Sequence, residues 1–221
     1  MSPNGSVPSS TEDDPYALPR RRMVQRQLRR RGIEDERVLA AMELVPRERF
    51  VPVNQRRRAY RDGALPIGEG QTISQPWIVA RMAAALELEG VERVLEVGTG
   101  SGYGAAVLSR CCSHVVTVER REGLSERAAA VLADLGYRNV EVRTGDGSLG
   151  MPDRAPFDGI LVTAAAEHGP PPALADQLAP GAPLVCPVDR GKGERLIRMR
   201  DGETEAIAPV RFVALVEGGG E

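Results

Sequence analysis

The chain has 221 residues, 42% apolar and 27% charged, and its 29 basic and 31 acidic residues leave a net charge of −2. That length suits one α/β domain, or two small ones, with a real core. So balanced a charge gives no global field favouring nucleic acid, and no apolar run approaches the roughly 18 residues of a membrane span.

In chain order, Met1–Pro19 carries four prolines, four serines and three consecutive acids and reads as a disordered tail. It has no apolar stretch of the kind a secretory signal needs. Arg20–Arg31 holds seven arginines with a thin stripe of Met23, Leu28 and then Ile33, which predicts a solvated amphipathic helix. Asp35 is placed to cap a second helix, with Val38, Leu39, Met42 and Val45 on one face and Pro46 as its stop. Phe50–Ser74 has no period and contains Pro52, Gly63, Pro66, Gly68 and Gly70, the mark of a functional or disordered loop. Ser74-Gln75-Pro76 predicts a helix start, with the Ser74 hydroxyl as N-cap and Ile78, Val79, Met82 and Leu86 on the buried face.

After Gly90 the pattern alternates. Strands are predicted at Arg93–Val97, Val115–Glu119, Val140–Arg143, Gly159–Thr163 and Leu184–Val188. Helices are predicted at Gly102–Arg110, Glu122–Leu135 and Pro172–Leu178. Repeated strand–helix units mean a doubly wound, mostly parallel, Rossmann-like α/β sheet. The end differs: Leu196–Arg200, Asp201-Gly202 and Glu203–Ile207 predict an antiparallel hairpin, and Val210–Val216 a further strand. Residues 20–221 therefore read as one domain, with N-terminal helices and a site loop over 20–90 and the Rossmann-like core over 91–221.

Glu96-Val97-Gly98-Thr99-Gly100-Ser101-Gly102 joins the first core strand to its helix, where open α/β sheets bind ligands. A dinucleotide fingerprint starting at Gly98 needs glycine at position 103, which is Tyr103. The loop instead resembles the E/D-x-G-x-G-x-G loop of class I S-adenosylmethionine (AdoMet)-dependent methyltransferases. That resemblance assigns Glu96, Gly98, Thr99, Gly100, Ser101 and Gly102 to the methyl donor. Glu119 ends the second core strand, where an acid can accept from both ribose hydroxyls. Asp146, in Gly145-Asp146-Gly147 after the third, can accept from an adenine amine.

A more specific resemblance covers most of the chain. Val45-Pro46-Arg47-Glu48-Arg49-Phe50-Val51, the stretch Ala64–Pro76 (ALPIGEGQTISQP), Leu95–Tyr103, Val118-Glu119-Arg120, Gly145-Asp146-Gly147 and Ala155–Ala165 are similar, in collinear order, to the protein-L-isoaspartate O-methyltransferase family. The resemblance implies that Ser74 is the active-site serine. It also implies that the loop from Ile67 to Ile73 lies against the donor, and that Glu119 and Asp146-Gly147 hold its ribose and adenine. It implies AdoMet as methyl donor and, as partner, the free α-carboxylate of an L-isoaspartyl residue in damaged proteins or peptides. The resulting ester cyclises to a succinimide, which starts repair.

The residues make chemical sense on their own. A carboxylate has a pKa of about 4 and is already a nucleophile at neutral pH, so no general base is needed. Ser74 lies in no G-x-S-x-G elbow, and the chain has two histidines, His114 and His168, so an acylating serine is disfavoured. Its hydroxyl suits the task of aiming a carboxylate. Lys192 is the only lysine. Cys111, Cys112 and Cys186 lack metal-site spacing and read as buried free thiols in a reducing compartment, so no metal is expected. A cytoplasmic monomer is expected, with no nucleic-acid or membrane partner.

Three other readings are open. A carboxyl methyltransferase dedicated to an Asp or isoAsp of one biosynthetic peptide has room in the unusual loop Ala164–Pro172. A nucleic-acid methyltransferase is suggested by the arginine run, but no amine-methylating N/D-P-P-Y motif follows the fourth core strand. A non-catalytic AdoMet binder would have no need of the segment before Ser74.

Overall fold

The computed structural model describes residues 14–189, 191, 193–216 and 218. Residues 1–13 of the expected tail lie outside the described residues. The remainder of that stretch is not tail. Helix α1 (Ala17–Met23) begins within it, the Tyr16 ring lies 6.2 Å from that of Tyr60, and Asp14 accepts from Arg20 Nη2 at 3.2 Å. Aromatic packing and an ion pair thus extend the ordered chain upstream of Arg20.

The arginine run is solvated as expected, with six of its seven arginines exposed, but it is not one regular helix. It passes from α1 into a π turn (Val24–Leu28) and a 3-10 turn (Arg29–Arg31), burying Met23, Val24 and Leu28. Arg29 pairs with Glu36, Arg31 with Asp62, and the Arg31 guanidinium stacks 4.6 Å from the Trp77 ring. Helix α2 (Glu36–Leu44) is capped as predicted: the Asp35 carboxylate accepts from Arg37 N–H at 2.9 Å and Val38 N–H at 3.0 Å. Two 3-10 turns (Arg47–Phe50 and Val53–Arg58) lead to a short hairpin, β1 (Leu65–Gly68) and β2 (Gln71–Ile73), and then to α3 (Pro76–Ala85).

The core follows as β3 (Arg93–Val97), α4 (Tyr103–Leu108), β4 (His114–Glu119), α5 (Glu122–Asp134), β5 (Val140–Thr144), β6 (Gly159–Val162), β7 (Ala166–Glu167), α6 (Pro172–Ala175), β8 (Leu184–Asp189), β9 (Glu194–Arg200) and β10 (Glu203–Pro209). The sheet runs β10-β9-β8-β6-β3-β4-β5, with β7 beside β8. Strands β5, β4, β3, β6 and β8 are parallel, and β9 and β10 form the antiparallel end. Because the chain goes from β3 to β5 on one side and returns to β6 on the other, the switch point is the carboxyl end of β3.

Strand alternation gives each sheet face its own core. Leu95, Val97, Val116, Val118, Ile160 and Val162 pack on one face with Phe157 and Leu174. Val94, Val115, Leu161 and Val185 pack on the other with Met42, Met82 and Leu108. Glu96 and Thr117 alternate onto this second face as directly paired neighbours.

Val210–Val216 is not a strand of the sheet. After Pro209 the segment pairs with the stretch that follows β6: Ala165 N–H donates to Val213 O at 2.8 Å, and Leu215 N–H to Ala165 O at 2.7 Å. No helix among the described residues is long and apolar enough to cross a membrane.

Candidate active site

Register assembles the site. Val97 of β3 pairs with Val118 of β4 and Val162 of β6, so Gly98, Glu119 and Thr163 leave the sheet at one level. Gly145 N–H then donates to Glu119 O at 2.9 Å, which brings Asp146 to the same rim.

The glycine loop is shaped by contacts that a side chain would obstruct. Gly98 has φ +95°, and a Cβ there would lie 2.3 Å from Thr163 Oγ1. That hydroxyl donates to Gly98 O at 2.6 Å, locking the loop to the end of β6. A Cβ on Gly147 would meet Val97 Cγ1 at 2.5 Å. Glu119 fastens the loop from the other side, accepting from Gly100 N–H at 2.9 Å and Arg121 N–H at 3.0 Å. Each of its oxygens thus takes one backbone donor and keeps a lone pair for a further donor. Asp146 accepts from Ser148 N–H at 2.9 Å and Ser148 Oγ at 2.7 Å through one oxygen, and from Gly218 N–H at 2.9 Å through the other. Burial opposes its charge, but these donors prevail and hold its carboxyl below the ordinary value.

Glu96 is the unusual group. Its side chain is buried, and Thr117 Oγ1 donates to its Oε2 at 2.7 Å. Thr117 spends its proton there, so Thr99, 2.7 Å away, donates to Thr117 and ties the loop into the same chain. No cation pairs with Glu96 among the described residues. Burial, with a further push from the Glu119 charge and against the Thr117 hydrogen bond, raises its pKa to about 8. A cationic ligand group would favour the ionised form.

The folded value of Glu96 lies above the ordinary 4.5, so the folded state binds the proton more tightly. The resulting stabilisation is complete below pH 4.5 and is lost as pH rises through about 8. One such group changes stability by at most about 1.4 kcal/mol per pH unit. Urea unfolding without ligand should show wild type losing stability relative to Glu96→Gln between pH 5.5 and 8. Parallel pH curves for the two proteins would contradict the raised value.

One cleft brings together Ile73, Ser74, Glu96, Gly98, Thr99, Gly100, Ser101, Glu119, Asp146 and Gly147. Gly102 does not line it. Its φ of +85° starts α4, and a Cβ there would press on Ala128 and Leu132 at 3.2 and 3.3 Å, so its role is packing. Ser74 follows β2 at the cleft, half-buried, and its side chain does not cap α3. Pro76 occupies the first helical position, so the cap is Gln75. His168 is exposed and off the cleft, and the three cysteines are free and buried. Burial raises each thiol to about 12, which makes them inert.

Sequence reasoning missed several contributors. Thr117 and Thr163 are ordinary strand residues by pattern. Gly104 leaves space for Glu96: a Cβ there would lie 2.2 Å from Glu96 Oε1. Val213–Val216 forms one wall of the cleft. The Thr163 signal was present in its place at the end of the fourth core strand; the others depend on contacts between distant segments.

The match to known proteins covers nearly the whole chain. Residues 20–220 fit the family model for Protein-L-isoaspartate(D-aspartate) O-methyltransferase (PCMT). A protein-L-isoaspartate O-methyltransferase of Roseiflexus sp. (strain RS-1) is 55% identical over 207 residues, covering 92% of this chain and 94% of its own. One from Methanoculleus marisnigri is 50% identical over 209 residues, covering 93% and 94%. A solved protein-L-isoaspartate O-methyltransferase superposes with TM-score 0.79 and 28% identity over 90% of this chain, which spans 66% of that longer structure. A Plasmodium falciparum homologue in complex with S-adenosyl-L-homocysteine shares the fold, with TM-score 0.76 and 24% identity. Motifs, topology and relatives agree: the chain belongs to the protein-L-isoaspartate(D-aspartate) O-methyltransferase family.

Proposed function

We propose that this protein transfers a methyl group from AdoMet to the free α-carboxylate of L-isoaspartyl residues in damaged proteins and peptides. The observation that carries this reading is that Ser74 opens onto the same cleft as the glycine loop, Glu119 and Asp146. The residues fit the donor: Glu119 has lone pairs for a ribose diol, Asp146 for an adenine amine, and the buried Glu96 lacks a cation that an amino-acid ammonium would supply. AdoMet supplies an electrophilic methyl. The protein's task is to present an acceptor that is already ionised, in line and away from water. The Ser74 hydroxyl donates a hydrogen bond that aims the carboxylate. Ile73, Val79 and Val213–Val216 form apolar walls of the cleft. Fixing two reactants in this way is worth roughly 7–11 kcal/mol in favourable intramolecular models.

The relatives' names support the isoaspartyl substrate. Free buried cysteines support a reducing, cytoplasmic setting. The unusual Ala164–Pro172 loop keeps a dedicated peptide substrate as the second reading; within it, Ala164 reaches the cleft. Isoaspartyl peptides of unrelated sequence separate the two. A repair enzyme methylates all of them with kcat/KM within about tenfold; turnover of a single sequence would select the dedicated reading.

A further inference from the structure

Arg47 is fully buried, yet it has no ion pair among the described residues; its neighbour Glu48 pairs with Arg20 instead. The guanidinium makes three contacts. Nε donates to Ala59 O at 2.8 Å, Nη2 donates to Ser74 O at 2.7 Å, and its carbon lies 4.8 Å from the Tyr103 ring centroid. Nη1 is buried without a hydrogen-bond partner. Burying a cation without a counter-charge is unfavourable, and an apolar side chain of similar volume would spare the fold that cost. What the guanidinium joins accounts for its presence. Ser74 is the residue assigned to aim the acceptor, and Tyr103 is the first residue of α4, directly after the glycine loop assigned to the donor.

We propose that Arg47 is a positioning residue that sets Ser74 against the glycine loop, and so fixes the approach of carboxylate to methyl. The proposal rests on the role given to Ser74 above. A planar fork holding a carbonyl on one edge and an aromatic face on the other fixes orientation as well as distance. A lysine ammonium, a point charge on a flexible stem, keeps the charge but not the plane. Methyl transfer is sensitive to such placement, since an error of about 1 Å can cost about 10²-fold in rate.

The test uses Arg47→Met and Arg47→Lys in the full chain, each also combined with Ser74→Ala. Calorimetry with S-adenosylhomocysteine reports binding stoichiometry and affinity, and steady-state assays with an isoaspartyl peptide give kcat and KM. The expected pattern is one ligand bound per chain, affinity and KM within about threefold of wild type, and kcat falling from wild type to Lys to Met, with about 30-fold lost in the last. In the Ser74→Ala background the same substitutions should cost less than about threefold, because the group Arg47 positions is gone. Equal losses in both backgrounds, or kcat loss matched by lost binding stoichiometry, would mark Arg47 as merely structural and overturn the proposal. A kcat within threefold of wild type for Arg47→Met would do the same. If Arg47→Met does not fold, Arg47→Lys is read by the same criteria. Near-normal turnover of Ser74→Ala alone would instead overturn the role of Ser74.

Discussion

Replacing Ser74 with alanine is expected to lower kcat by about 10²–10³-fold, the range for loss of one preorganised hydrogen-bond donor. AdoMet affinity should stay within a few-fold, because the donor-side contacts assigned to Glu96, Glu119 and Asp146 are untouched. Stability should also hold. Had Ser74 capped α3, the substitution would cost about 1 kcal/mol. The structure gives that position to Gln75, with no side-chain cap bond, so this loss does not arise. The variant therefore isolates chemistry from folding. Turnover within threefold of wild type would remove Ser74 from the mechanism, whereas a large fall in melting temperature would show that the residue serves the fold.

The second large effect is expected from Gly104→Ala. In an ordinary helix interior this change stabilises by about 1 kcal/mol. Here the new Cβ would sit 2.2 Å from Glu96 Oε1 and 3.4 Å from its Cδ. A carboxylate at the end of a flexible side chain usually swings aside. This one is held by Thr117 at 2.7 Å on its other oxygen and is only 1% exposed, with the cleft as its one way out. Moving it gives up a buried hydrogen bond worth roughly 0.5–1.5 kcal/mol, and overpacking adds about 1–3 kcal/mol. The steric term outweighs the helix propensity. We expect net destabilisation of about 2 kcal/mol or more by urea unfolding. S-adenosylhomocysteine affinity should fall about 10- to 100-fold, since the displaced carboxylate moves into the cleft. A variant more stable than wild type with unchanged affinity would show that Glu96 has another place to go.

Which parts of this were legible from sequence has a physical pattern. The parallel strands were readable within a residue or two, because buried β-branched runs punctuated by glycine have few alternatives. The Asp35 cap was readable because a cap is a local bond between an acid and the next two or three amides. Ser74 as a cap was a misreading of the same kind of signal: proline at the first helical position makes the residue just before it, Gln75, the cap. The β1–β2 hairpin was hidden by Pro66, Gly68 and Gly70, which break period-two alternation in strands of four and three residues. Val210–Val216 has the composition of a strand, but its partner is one stretch around Ala165, not the free edge of β10. Arg47 and Gly104 could not be read locally. The first contacts residues 27 and 56 positions away, and the second is required by a carboxylate on a different element.

This cleft is expected to deliver methyl groups to isoaspartyl carboxylates. The most direct measurement is transfer of labelled methyl from AdoMet to a peptide containing one L-isoaspartyl residue, run beside the identical peptide with a normal aspartyl linkage. A base-labile methyl ester, released as labelled methanol as the succinimide forms, is expected on the isoaspartyl peptide and none on its counterpart. Label in the aspartyl peptide alone, equal label in both, or label that survives base would contradict it.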